Sequence, residues 1–191
     1  MTVHSFHVFD RKGKTLFTKR YSKTAYAGGS SADDAEQLAE QRKLIFGMVF
    51  SLRELSASLS PYEGPGDLHL VKTGASTLYH FETVSGLKFA LYTTAETSYQ
   101  NPNGSSVPTA GQLQTNPMLA QTKNQGMTNQ AMTDSIRDAL RHIYEHIWVT
   151  FVVRSPMYRP TDDSASASDA ISQTNFEASL DNYLKGMAWF K

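Results

Sequence analysis

His142, Glu145 and His146, within the stretch ALRHIYEHIW (139–148), stand in the order H-x-x-E-H. Two imidazoles one helical turn apart can grip one zinc ion, and a glutamate beside them can activate a bound water. The residue types therefore permit metal-assisted hydrolysis. The rest of the helix argues against it. Its apolar stripe is Ile136, Leu140, Ile143, Ile147 and Phe151, and both histidines point roughly 100–140° away from that stripe at helical pitch. A zinc site usually needs a third protein ligand. The downstream carboxylates Asp162, Asp163, Asp169, Glu177 and Asp181 belong to no recognisable ligand motif. The pattern reads as a local accident on a surface helix, and neither a metal nor a catalytic residue is expected. A zinc hydrolase using His142, Glu145 and His146 stays as a remote alternative. His4, His7, His69 and His80 lie on strand candidates and read as surface or satisfied core residues.

Other chemistry has less support. The chain contains no G-x-x-x-x-G-K-[ST], G-x-G-x-x-G or G-x-S-x-G, so phosphate loops and nucleophile elbows are absent. Gly64-Pro65-Gly66 precedes a strand candidate and reads as a turn. With no cysteine, disulfides, thiol catalysis and thiolate-bound zinc are excluded, which fits a reducing compartment. Eighteen Lys and Arg balance eighteen Asp and Glu, whereas a general nucleic-acid or acidic-membrane binder needs a basic excess. The N-terminus has no long apolar run of the secretory kind. The most apolar stretches, 44–50 and 147–153, are short of the roughly 20 residues that span a bilayer. No cofactor is expected, and the residues alone say "interaction module".

The elements that must position any site follow from periodicity. Residues 3–9 and 15–21 read as a hairpin, with Gly13 supplying its turn. A helix capped at Asp33 or Asp34 runs to about Leu59 and stops at Ser60-Pro61. Leu38, Ile45, Met48, Val49, Leu52, Leu55 and Leu59 form its core stripe. Phe46 and Phe50 lie roughly 130–170° from the stripe centre. Strand candidates follow at 68–73, 77–83 and 88–94. Residues 98–131 are rich in Asn, Gln, Thr, Gly and Pro, with Lys123 the only charge, and read as a disordered insertion. A helix capped at Thr133 or Asp134 ends at Ser155-Pro156, a polar linker occupies about 157–175, and a last helix covers 175–190 with Phe176, Leu180, Tyr183, Leu184 and Met187 on one face. The order ββαβββαα predicts one α+β domain over 1–191. Its single antiparallel five-stranded sheet carries the long helix on one face and the two C-terminal helices on the other.

That element order is the order of the longin fold. VHSFHVFDRKG at the start resembles the first hairpin of the small longin-like subunits of TRAPP, the transport protein particle. KLIFGMVFSLRELSASLSP (43–61), LYHFETVSGLKF (78–89), IRDALRHIYEHIWVTFVVRSP (136–156) and FEASLDNYLKGMAWF (176–190) continue the resemblance. Together they are similar to the Bet-five type, subunit one in animals. The Gly47-Met48-x-Phe50-Ser51-x-Arg53 and Leu78-x-x-x-Glu82-Thr83-x-x-Gly86-x-Lys88 segments carry it most specifically. The long 98–131 insertion departs from the family.

The resemblance implies a non-catalytic core subunit of a vesicle-tethering complex. Its neighbours would be a second longin-like subunit and a palmitoyl-binding-fold subunit. The assembled complex promotes nucleotide exchange on a Rab GTPase in ER-to-Golgi and Golgi traffic, which implies a cytoplasmic protein held peripherally at those membranes, without direct membrane insertion. Paired longins present their long helices to a partner, so Arg42, Lys43, Phe46, Phe50, Arg53 and Ala57 are expected to bind partners. The alternative is another longin-type trafficking module, a clathrin-adaptor small chain or a SNARE longin domain. A SNARE would carry heptads and an anchor after the domain, and neither is expected here.

Overall fold

A computed structural model describes residues 2–21, 31–59, 68–94, 118–159 and 164–190, with the side chains of 31–35, 118–129 and 164–166 left undescribed. The strands are β1 (Val3–Phe9), β2 (Thr15–Arg20), β3 (Leu70–Lys72), β4 (Ser76–Glu82) and β5 (Lys88–Thr94). They form one antiparallel sheet in the order β2-β1-β5-β4-β3, the five-stranded antiparallel sheet expected from their β-branched and aromatic content. Helix α1 (Ser31–Leu59) covers one face. Helix α2 (Met118–His142), its π-helical continuation (Ile143–Val153), α3 (Ser164–Ser172) and α4 (Phe176–Lys185) belong to the other side.

The β1–β2 turn shows how local chemistry sets the hairpin. The Asp10 carboxylate accepts from the backbone N–H of Lys12 (2.7 Å) and of Lys14 (2.8 Å), an Asx-type closure beside the backbone bond from Asp10 N–H to the Lys14 carbonyl (2.9 Å). Gly13 sits at φ +85°, where a Cβ is penalised. A Cβ there would also come within 2.5 Å of the Phe46 ring. Glycine is required twice over, by backbone angle and by the approach of α1.

The two faces of the sheet differ in kind. Phe6, Val8, Phe89, Leu91 and Tyr79 face α2–α4 and build the larger core. Trp148 is its hub, meeting Phe89 (5.7 Å between centroids), Phe176 (5.3 Å) and Tyr158 (6.1 Å) edge to face, the arrangement that ring quadrupoles favour. At 100° per residue Val152 would lie roughly 180° from Ile143, yet Ile143, Ile147, Trp148 and Val152 are all buried. The wider i→i+5 turn reconciles them; Arg154 N–H still donates to the Val149 carbonyl (3.1 Å). The straight α stripe expected from sequence holds as far as Ile147. Beyond it Trp148 and Val152 take the buried places, while Phe151 is only partly buried.

Against α1 the sheet offers a small apolar patch, Phe9, Leu78 and Ala90, on which Ile45 and Val49 bury. A 29-residue helix is about 43 Å long, longer than a seven-residue strand of about 23 Å. Leu55 and Leu59, expected in the core stripe, are therefore exposed, Leu59 to 74%.

Three further boundaries differ from expectation. Helix α2 starts at Met118 and not at Thr133 or Asp134, so it takes in the end of the stretch read as an insertion; residues 95–117 lie outside the described ones. Helix α3 forms inside the stretch 157–175 read as a linker. Its Ala167, Ala170 and Ile171 are buried, two small residues and one isoleucine in a stretch whose polar composition hides their packing. The caps expected at Asp33 or Asp34 fall inside α1, among side chains left undescribed.

Candidate interaction surfaces

The histidine pair comes first because it opened the question of chemistry. His142 and His146 are neighbours, with ring centroids 4.3 Å apart, and His142 stacks on Tyr183 of α4 at 4.6 Å. Among the described residues no group of three His, Asp or Glu is placed to hold a metal. The stack on Tyr183 packs His142 against α4. Burial, then the nearby Asp138 carboxylate, pushes the Tyr183 hydroxyl up.

Two other histidines are core residues. His7 lies under α1, with Nε2 2.8 Å from Ser5 Oγ and Nδ1 3.2 Å from Thr18 Oγ1, and it stacks on Phe9. Burial, with the Arg42 guanidinium adding to it, lowers its imidazole to about 4. It is neutral at physiological pH. His80 Nδ1 donates to the Leu68 carbonyl (2.7 Å), and burial lowers its pKa also.

The residues expected to meet a partner separate on α1 into two groups. Phe46 is half-buried against Phe9 (5.6 Å) and stacks on Phe50 (6.1 Å). Arg53 Nε donates to Glu82 Oε2 (2.8 Å), and Glu82 Oε1 meets Lys88 Nζ (3.4 Å). Arg42 and Ala57 are half-buried, whereas Lys43 and Phe50 are exposed, Phe50 to 48%. Phe46 and Arg53 are therefore partly engaged within the chain itself.

Sequence reasoning missed the other outer flank. Leu44, Leu55 and Leu59 are exposed there. Leu55 and Leu59 had been counted as core because nothing in the periodicity tells a stripe that meets a sheet from one that overruns it. Arg42, Lys43 and Phe46 also line a groove of about 750 Å³ with β2 and with Asp169 and Glu177. The strand beside it, β2, ends the sheet. On its far side Lys19 joins Glu177 (2.7 Å) and Asp181 (2.6 Å), fixing β2 to α4.

Helix α1 thus leaves large apolar side chains open on both flanks of its buried line. The sequence profile described as the Sybindin-like family matches residues 3–104, more than half of the chain. The chain belongs to the Sybindin-like family. This Sybindin-like chain is also similar along its whole length to curated proteins. Trafficking protein particle complex subunit 1 of Rattus norvegicus is 25% identical over 190 residues, covering 100% of this chain and 97% of that one. Trafficking protein particle complex subunit BET5 of Saccharomyces cerevisiae is 25% identical over 194 residues, 98% of each chain. Transport protein particle subunit bet5 of Schizosaccharomyces pombe is 24% identical over 200 residues, 100% of both. The Bet-five type resemblance read from the hairpin, α1, β4–β5 and the C-terminal helices holds across the whole length, as does the α+β fold. Among the described residues no helix is long and apolar enough to cross a membrane.

Proposed function

We propose that this chain is a non-catalytic core subunit of a TRAPP-type tethering complex, and that α1 is its main partner-binding helix. The observation that carries the reading is the set of apolar side chains that α1 leaves exposed. Leu44, Leu55 and Leu59 stay open on one flank and Phe50 on the other, on either side of the buried Ile45 and Val49. Exposed apolar groups gathered on one helix mark interaction sites. The occupant is a second longin-like subunit, which can bury Phe50 together with Arg42, Lys43, Phe46, Arg53 and Ala57 on its flank. A palmitoyl-binding-fold subunit is the other neighbour. Whole-length similarity to proteins named as TRAPP subunits supports the assembly.

Function then follows from assembly. The complex promotes nucleotide exchange on a Rab GTPase in ER-to-Golgi and Golgi traffic, acting in the cytoplasm at the membrane periphery. The GTPase brings the nucleotide, so this subunit's part is surface and positioning. The test is reconstitution of the core with and without this chain, reading nucleotide release from the Rab. Loss of exchange without the chain supports the proposal, and undiminished exchange refutes it.

A further inference from the structure

Among the described residues the large apolar side chains left exposed fall into two groups. One is on α1; the other is Val84, Val153 and Met157. This second group belongs to one end of the sheet, where the β1–β2 turn, the β4–β5 turn and the end of the π-helical segment enclose a cleft of about 580 Å³. Val153 lines it, while Val84 and Met157 adjoin the lining residues Ser85 and Tyr158.

The cleft has an apolar interior and a cationic rim. Leu16 and Trp148 are its buried lining, and Tyr144, Leu87 and Tyr158 are half-buried. Arg11, Lys12 and Lys14 come from the β1–β2 turn, against a single lining carboxylate, Asp10. That carboxylate is already committed to the backbone N–H groups of Lys12 and Lys14. The exposed cations Arg11 and Lys12 beside one engaged anion favour an acidic occupant. Recessed aromatic lining favours one that inserts a side chain, because a bilayer surface would meet only the protruding groups. Aromatic pockets ringed by charge are where interfaces concentrate their energy.

We propose that this cleft is a second docking site, separate from α1, for an acidic segment of a partner protein. The segment places one aliphatic or aromatic side chain against Leu87, Val153 and Tyr158 and sets its carboxylates against Arg11 and Lys12. The rim governs rate and salt dependence, and the inserted side chain governs residence time.

The experiment starts with the full chain and a display library of randomised linear peptides. An enriched peptide is then synthesised with a fluorescein label and titrated by anisotropy. The expected consensus is one large apolar residue flanked by Asp or Glu. Reversing both rim charges, Arg11→Glu with Lys12→Glu, should weaken its binding by about tenfold or more. Val153→Asp should abolish it, and Phe50→Ala should leave it unchanged. Arg11 and Lys12 are exposed turn residues, and an unchanged unfolding midpoint confirms that their reversal keeps the fold; the milder Arg11→Ala with Lys12→Ala serves if it does not. A consensus without carboxylates, no enrichment, or binding indifferent to both rim and Val153 changes overturns the proposal. So does Arg11- and Lys12-dependent sedimentation with phosphatidylserine–phosphatidylcholine vesicles in place of peptide binding, which would make this end a membrane contact. Because α1 takes no part, failure here leaves the assembly proposal standing.

Discussion

Acidification should unfold this protein partly through one buried histidine. His7 has an ordinary value of 6.5 and is lowered to about 4 in the fold, first by burial and then by Arg42. Below pH 6.5 the unfolded chain takes up a proton that the folded chain refuses until about pH 4. Stability from this site is therefore fully present above pH 6.5, falls as pH drops, and is exhausted near pH 4. Linkage puts the loss between pH 7 and pH 5 at about 2 kcal/mol. The perturbation is His7→Gln, which keeps a donor and an acceptor for Ser5 and Thr18 but does not titrate. Urea unfolding of both proteins at pH 7 and pH 5 gives the comparison. The native chain should lose about 2 kcal/mol more than the variant over that interval, with His80 contributing equally to both. Equal losses would show that His7 accepts its proton in the folded state, and the reasoning from its burial would be wrong.

Other outcomes follow from single contacts. Gly13→Ala should cost about 1–3 kcal/mol for its left-handed backbone, with the Phe46 clash added; thermal unfolding should show a smaller cost in a Phe46→Leu background, and equal costs would mean the ring is not the obstacle. Arg53→Ala should lower the stability of the lone chain by roughly 1 kcal/mol, with a double-mutant cycle against Glu82→Gln recovering most of it as coupling. Zero coupling would release Arg53 for a partner and void its role in pinning α1 to the sheet.

The fold was legible because its signals are local and redundant. β1, β2, β4 and β5 are rich in β-branched and aromatic residues, Gly13 marks the turn, and Pro61 and Pro156 mark where helices end. Core assignment failed where tertiary geometry decides. The α1 stripe looks continuous from Leu38 to Leu59, but only Ile45 and Val49 are fully buried; how far a sheet extends beneath a helix leaves no mark in the helix's own sequence. Trp148 was overlooked because a π turn changes the period on which the stripe was drawn. Helix α3 was overlooked because Ala and Ser carry little hydropathy even when their backbones pack closely. For the site, spacing put Phe46 and Phe50 together, and they do stack. It could not show that Gly13 and Phe9 would claim one side of Phe46, or that Glu82 would hold Arg53. The H-x-x-E-H letters likewise could not show that the His142 ring would stack on Tyr183 of α4.

The central claim is that the outer face of α1 is built for a partner and not for the chain's own core. It is tested by Phe50→Asp with Leu55→Asp, measured twice: by the unfolding midpoint of the lone chain, and by size-exclusion co-elution with the second longin-like subunit. The account predicts an unfolding midpoint close to that of the native chain and loss of co-elution, since truncating central interface anchors costs about 2 kcal/mol or more each. Co-elution retained at native strength, or a lone chain that no longer folds, would contradict it.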